Sequence, residues 1–472
     1  MLAAVRGRPQ LHAGRDRRRG PLAGRSAGRR RRSACREGVE RRGRRWIPMI
    51  AERCGRRWIP MIAERCALAR RSAAAGAVAR RGATAGAVLL ALAFLAVGRP
   101  AAQHQVLPGD PLPGLTPVEF EEFMLGLDDF LEVEDAEEGL GPAYNNTSCA
   151  GCHNVPAIGG IAPMTTTRAG IREPDGTYRD VEPGRGSLFQ IFSIPTHACQ
   201  SVIPPEANVI AKRVPIPLFG AGLIEAIPDA ALEALADADD LDRDGVSGRA
   251  PIVVDLATGE PRVGRFGWKS QRATLLDFGA DAYRNEMGIT NDLFPAELTF
   301  RLSARQLALC DEAPDPEDIV DPPTGRRGID NFESFMRLLA PPARGPRSPL
   351  TALGREVFDA IGCAACHVPV LATGPSANPL FDRQPVALFS DLLLHDVGTG
   401  DGIRQASAEP DEMRTPPLWG LRFRRPLLHD GSAATAVEAI RRHGNEAALA
   451  REGFERLAPA DRAALAAFLD SL

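Results

Sequence analysis

Cysteine and histidine are scarce in this chain: 472 residues contain nine of the first and eight of the second. Any ordered cluster of them is therefore informative, because chance has little material to work with. Long apolar runs are scarce too. The run Ala85 to Val97 (AGAVLLALAFLAV) stops at 13 residues, too short to span a bilayer comfortably, so no stable membrane span is expected in the mature protein. Basic charge is missing from most of the chain. Residues 1–102 hold 25 of the 57 Lys+Arg and 5 of the 60 Asp+Glu, which leaves 32 basic and 55 acidic residues beyond, a net charge of 32 minus 55, or −23. Such a surface repels phosphate backbones and excludes a nucleic-acid partner. The rest is ordinary globular composition, 44% hydrophobic and 25% charged, with length for two or three domains.

The basic head reads as something other than folded protein. GRRWIPMIAERC occurs twice in tandem, at Gly43–Cys54 and Gly55–Cys66, and two copies are too few for a stacked repeat architecture. Arg80 and Arg81, the apolar run and then GRPAAQ give the layout of a secretory signal, with cleavage expected near Ala102. An export signal belongs near the chain start, so residues 1–102 read as a leader: a start assigned too far upstream, followed by the signal. The mature protein is then expected to be periplasmic or secreted.

The informative cluster lies in GLGPAYNNTSCAGCHNVPAIGG, where Cys149, Cys152 and His153 form Cys-x-x-Cys-His. The pattern returns at Cys363, Cys366 and His367. By chance one such match would arise in roughly a few chains per thousand and two in roughly a few per million. A four-cysteine zinc site needs its second pair about 15 to 20 residues away, and a dithiol redox site needs no histidine. Two intervening residues let both sulfurs reach opposite edges of one porphyrin while the next imidazole points at its centre. Each site is thus read as covalent haem c, with His153 and His367 as iron ligands. Beyond the leader this leaves Cys199 and Cys310, which an oxidising compartment could join.

Around these motifs the chain reads as mainly α, with two cytochrome c-like haem domains. Thr116 and Glu119 form a capping box ahead of a stripe of Phe120, Phe123, Leu127, Phe130 and Leu131, just before the first motif. Ser348 to Ile361, with Leu350, Leu353, Val357 and Ile361, precedes the second. Pro459 to Leu472 closes the chain with Leu465, Phe468, Leu469 and Leu472, a helix expected to pack on that second entry helix. The first domain, 103–340, carries a long irregular insert from about Pro163 with short extended candidates at Ser187–Pro195 and Arg249–Asp255. The stretch Ala340–Pro349 reads as the linker to the second domain, 341–472. Within the insert, Asp240, Asp242, Asp244 and Gly245 occupy positions 1, 3, 5 and 6 of an EF-hand-like loop, but Pro251 stands at position 12. Ca²⁺ binding and a solvated acidic turn both remain open there.

The ordered blocks GLGPAYNNTSCAGCHNVPAIGG, LFGAGLIEAIPD, GRFGWKS, MGITNDLFP, SDLLLHDVG and MRTPPLWGLRFRRPLLHDGSAATAVEAI resemble the bacterial di-haem oxidoreductases described as peroxidases. More distantly they are similar to di-haem cytochrome c peroxidases and the methylamine-pathway di-haem enzymes. The resemblance implies a peroxide-reactive N-terminal haem and a C-terminal haem that relays electrons to it. Met413, 46 residues beyond His367, is the candidate second ligand of the relay haem, with His395 and His429 as rivals. Glu225 resembles the position of a catalytic glutamate in peroxidase relatives and is the candidate for moving a proton between peroxide oxygens, the alternative being a partly exposed acid at a helix start. Trp268 or Trp419 could carry electrons between haems, and Arg414 could meet a haem propionate, although either tryptophan could equally be core. The expected activity is reduction of hydrogen peroxide with electrons from a small, basic redox protein. The alternatives are a non-catalytic di-haem electron carrier, or oxidation of another substrate by a haem in a high oxidation state.

Overall fold

The structure is a computed structural model that describes residues 105–194, 199–298, 302–311 and 313–472. The leader, its repeat and the export signal lie outside the described residues. No helix among the described residues is long and apolar enough to cross a membrane. The fold is helical with several small sheets.

Two helix crossings organise it, and they are built alike. Helix α1 (Pro117–Leu131) starts as expected: Thr116 Oγ1 accepts from Glu119 N at 3.2 Å, Glu119 Oε2 accepts from Thr116 N at 2.7 Å, and Pro117 fills the first turn. Helix α2 (Leu275–Ala282) runs into a π-helical turn, Tyr283–Met287. Helix α3 (Gly328–Leu338) lies across α1. At the crossing Gly126 touches α3 so closely that a Cβ there would clash with Asn331 O and come within 2.8 Å of Phe335 Cβ. Four residues on, Phe130 stacks at 4.8 Å from the Phe335 ring and stands 6.1 Å from the His153 ring.

The second crossing repeats this. Helix α4 (Pro349–Ala360), capped by Ser348, packs on α5 (Pro459–Leu469), as the sequence led us to expect. A Cβ at Gly354 would clash with Ala464 O and lie 2.7 Å from Phe468 Cβ. Four residues on, Phe358 meets Phe468 at 5.3 Å and the His367 ring at 6.4 Å. Of the expected stripes, Phe123, Phe130 and Val357 are buried, together with Gly126 and Gly354 at the crossings, whereas Phe120, Leu131, Leu350 and Leu353 are exposed.

The insert contributes an antiparallel sheet. Strand β1 (Thr166–Arg172) pairs with β2 (Tyr178–Asp180), β3 (Leu188–Phe189) and β4 (Val209–Arg213), and its register with β4 runs from Thr166↔Arg213 to Gly170↔Val209. Ile252–Val254 is a strand inside the second extended candidate. Farther on, β5 (Leu394–His395) pairs with β6 (Met413–Arg414), placing His395 opposite Met413. The stretch 340–348 is irregular, as a linker would be. Even so, Phe381, Val386, Leu388, Leu392 and Leu393 beyond it pack into the same core as Phe130, Leu275 and Phe335. Cys199 and Cys310 are joined, with Cα atoms 6.2 Å apart.

Candidate active site

Each Cys-x-x-Cys-His motif opens onto its own cavity. The N-terminal cavity, about 160 Å³, is lined by Cys149, Cys152 and His153; the C-terminal one, about 310 Å³, by Cys363, Cys366 and His367. None of the four motif cysteines is in a disulfide. His153 Nδ1 lies 2.9 Å from Gly160 O and His367 Nδ1 lies 3.1 Å from Phe389 O. A carbonyl can only accept, so Nδ1 carries the proton in both rings and Nε2 keeps its lone pair for a metal. Burial depresses both imidazoles, His367 to about 4, which keeps them neutral as an iron ligand must be.

Buried guanidinium groups complete the fit to haem, whose propionates are anionic. Arg168 Nε and Arg213 Nη2 face the N-terminal cavity without a hydrogen-bond partner. At the C-terminal cavity Arg414 is buried with Nε donating to Gly267 O at 2.8 Å, and burial pushes it down to about 9. Arg213 already pairs with Asp401 through Nε at 2.6 Å, whereas a buried cation such as Arg414 is costly until an anion joins it.

The two linings differ. The C-terminal cavity has Met413, His395, His429 and His443 in its wall. His395 Nε2 is bound to Asp391 at 2.9 Å and Nδ1 to Glu446 at 2.7 Å. Burial alone would depress this ring, but the hydrogen bonds to Asp391, Cys366 and Glu446 outweigh it and raise it to about 12. Both ring nitrogens of His395 are thus held by carboxylates. Met413 is buried beside Val214 and Trp268. His429 stands edge-on to Trp268 at 6.3 Å. His443, which the sequence reading passed over, holds Nδ1 2.7 Å from Ala439 O and so also keeps a free Nε2.

The N-terminal cavity has no histidine besides His153; its polar wall is Glu286, Asp281, Arg168 and Arg213, with Gln271 and Asn285, beside Met164, Met287 and Met336. Burial raises Glu286 above the usual carboxylate range, against the hydrogen bond that Asn145 Nδ2 donates to its Oε2 at 2.5 Å. Nothing in RNEMG marks Glu286 by sequence, since its role comes from the turn after α2 that faces it into the cavity. Glu225 is elsewhere. Its Oε1 accepts from Leu275 N at 2.7 Å at the start of α2, its Oε2 pairs with Arg337 at 2.9 Å, and it lines neither cavity. A carboxylate committed to a helix start and an arginine has no access to peroxide at the haem, so the expected role does not fit its position.

Trp268 lines both cavities. Its Nε1 donates to Val214 O at 2.8 Å, and its carbonyl accepts from Arg414 N at 2.9 Å, which ties it to the strand that carries Met413. Next to it Lys269 is fully buried and donates to Glu409 O at 2.9 Å and Pro410 O at 3.0 Å. Trp419 lines a smaller void of about 40 Å³ that shares Arg414 and Arg424 with one cavity and Leu218 and Gly267 with the other. Asp240, Asp242 and Asp244 lie in an exposed turn, where they accept from Gly245 N, Asp244 N and Val246 N.

Paired haem-type motifs, each beside a cavity with its histidine poised, define a di-haem redox protein. The family model described as "Di-haem oxidoreductase, putative peroxidase" matches residues 194–472, more than half of the chain, and the chain belongs to that family. The first motif lies ahead of the matched span. No curated protein matches. Among solved structures, hydrazine synthase of Kuenenia stuttgartiensis is 14% identical, covering 84% of this chain and 100% of its own at a TM-score of 0.33. A MauG-like protein associated with microbial copper homeostasis is 20% identical over 55% of this chain and 90% of its own, at 0.29. The diheme peroxidase BthA of Burkholderia thailandensis E264 is 16% identical over 65% of this chain and 95% of its own, at 0.27. The family assignment rests on the model match alone.

Proposed function

We propose that this di-haem oxidoreductase is an exported c-type cytochrome that reduces hydrogen peroxide at the N-terminal site, with electrons relayed from the C-terminal site. The observation that carries the reading is the asymmetry of the two cavities: the C-terminal wall adds His395, His429 and His443 to its motif histidine, whereas the N-terminal wall has no histidine besides His153 and presents Glu286, with Trp268 in both walls. Each haem, held through Cys149 and Cys152 or Cys363 and Cys366, supplies a redox-active iron.

The chain's own groups do the rest. Peroxide takes up two electrons and two protons to give two waters. Glu286, which burial keeps protonated to a higher pH than an ordinary carboxylate, gives a proton from its carboxyl to the departing oxygen, and Asn145 orients it. Arg168 and Arg213 balance negative charge in the cavity. Met413, in the wall of the C-terminal cavity, would hold the relay haem's iron beside His367, and a thioether there would raise the potential as a relay requires. Trp268 carries electrons between the cavities. The donor is a small redox protein with a basic face, matched to the chain's acidic surface.

A second reading has one observation in its favour. Met164 Sδ lies 3.2 Å from Cys152 Sγ and Met287 Sδ lies 4.0 Å from Cys149 Sγ, so thioethers are at hand in the N-terminal cavity too. A carrier with two six-coordinate haems would need them. Glu286→Gln separates the readings. Peroxide turnover of the haem-loaded variant should fall by about a hundredfold or more, with both haem spectra unchanged. Turnover unchanged in Glu286→Gln, or absent in the native protein even after one-electron reduction, contradicts the proposal.

A further inference from the structure

Four carboxylates converge away from both haem-site cavities. Glu297, Asp311, Asp315 and Glu317 each offer an oxygen, and these all lie within 4.8 Å of one another. Glu297 is 6% exposed, yet neither its Oε1 nor its Oε2 has a hydrogen-bond partner, and Glu317 Oε1 is likewise buried and unpartnered. Carboxylates taken out of water without donors are strongly disfavoured unless a positive charge meets them.

The neighbouring cations leave those oxygens unmet. Arg185 Nη1 donates to the main-chain carbonyl of Glu297 at 2.6 Å rather than to its carboxylate. Arg284 is near enough to act on Glu297 through its charge, but its guanidinium sits over the Phe294 ring at 4.6 Å. The Thr290 hydroxyl bonds to Asp315 Oδ1 at 3.2 Å and to Glu317 Oε2, so it orients two acids without neutralising either.

We propose that Glu297, Asp311, Asp315 and Glu317 bind a Ca²⁺ ion. The donors are all carboxylate oxygens, which suits a hard cation and gives no preference to zinc or copper, and the high negative charge suits Ca²⁺ more than a Mg²⁺ that retains its waters. The position gives the ion work to do. Asp311 follows Cys310 of the disulfide, and Thr290 and Glu297 follow the turn Tyr283–Met287 that puts Glu286 into the N-terminal cavity wall. Ca²⁺ here cross-links the two segments and braces that wall. The exposed Asp237, Asp240 and Asp242 turn, by contrast, spends its carboxylates on local main-chain N–H groups.

The test is calorimetric titration of Ca²⁺ into the haem-loaded protein after EGTA treatment, with thermal melting alongside. One Ca²⁺ should bind and raise Tm by several degrees. Glu297→Gln with Asp315→Asn should abolish both effects while keeping both haem absorptions, and Asp240→Asn with Asp242→Asn should keep both effects. Should the first pair fail to give haem-loaded protein, Glu297→Gln alone is expected to weaken Ca²⁺ at least tenfold. No heat and no Tm shift in the native protein would overturn the site, as would native affinity in the Glu297→Gln variant; stability that responds to pH but not to Ca²⁺ would show that protons alone neutralise the cluster.

Discussion

The two haem-site halves share a frame and differ in what fills it. In each, an entry helix crosses a closing helix at a glycine, a phenylalanine four residues later faces the motif histidine, and that histidine holds Nδ1 on a carbonyl. Yet the N-terminal cavity is about half the size of the other and has no histidine besides His153, where the C-terminal one adds His395, His429 and His443. The insert makes much of the difference. Its strands β1 and β4 bring Arg168 and Arg213, and the turn after α2 brings Glu286. One scaffold thus presents a poised imidazole twice, and loops decide what chemistry surrounds it.

That comparison can be broken most severely at the thiols. Cys149→Ser with Cys152→Ser should halve the covalent haem per chain and abolish peroxide turnover. Cys363→Ser with Cys366→Ser should also halve it but leave the N-terminal site able to bind peroxide. Haem content by pyridine haemochrome and stopped-flow mixing with peroxide read the difference. Equal effects of both pairs on peroxide binding would erase the division of roles.

The shared frame predicts a smaller, symmetric cost. Gly126→Ala and Gly354→Ala each drive a Cβ into main-chain oxygen and a phenylalanine across the crossing. Each should destabilise its half by about 3 kcal/mol, read as a fall in Tm, because such overpacking cannot relax without parting the helices. A loss at one glycine only would show that the crossings are not equivalent.

The halves should also differ in their response to pH. Burial raises Glu134 in the N-terminal half to about 7, although Tyr283 Oη donates to its Oε1 at 2.8 Å. A group that holds its proton longer in the folded state makes the fold more stable at low pH, and that stability is lost as pH climbs from about 4.5 to about 7. The loss amounts to about 3 kcal/mol at most. Denaturant melts of Glu134→Gln should lose that slope. Asp401 leans the other way. Burial would raise it, but Arg213 and Lys269 overcome this and hold it at about 2, so its contribution is present above about pH 4 and fades below.

Smallest of all is the change expected at Glu225. Glu225→Gln keeps an acceptor for Leu275 N and loses only the pair with Arg337, itself partly exposed, so turnover should be native and stability should fall by about 1 kcal/mol or less. A large drop in turnover would return Glu225 to the site.

What could be read from the sequence was whatever depends on neighbours along the chain. The two motifs, the capping box at Thr116, the closing helix and the short strands of the insert are local patterns of spacing and propensity, and they stand where they were expected. The burial stripes of α1 and α4 were legible in part, at Phe123, Phe130 and Val357, but the value of glycine at a crossing depends on a partner helix some 200 residues away in α1 and 110 in α4. At Glu225 the sequence offered both a proton shuttle and an acid at a helix start, and only the fold shows Leu275 N and Arg337 as its partners. Glu286 and His443 carry no sequence mark, since each gains its setting from folding alone. Trp268 was read as one of two candidates, and only the assembled walls separate it from Trp419.

The most direct measurement is electron paramagnetic resonance of the half-reduced holoprotein before and after one equivalent of hydrogen peroxide. The expected result is one high-spin iron that changes on mixing and is missing from the Cys149→Ser, Cys152→Ser variant, beside a low-spin iron that loses its signal pattern in Met413→Ala. Two low-spin irons indifferent to peroxide, or a reactive iron that survives loss of Cys149 and Cys152, would contradict it.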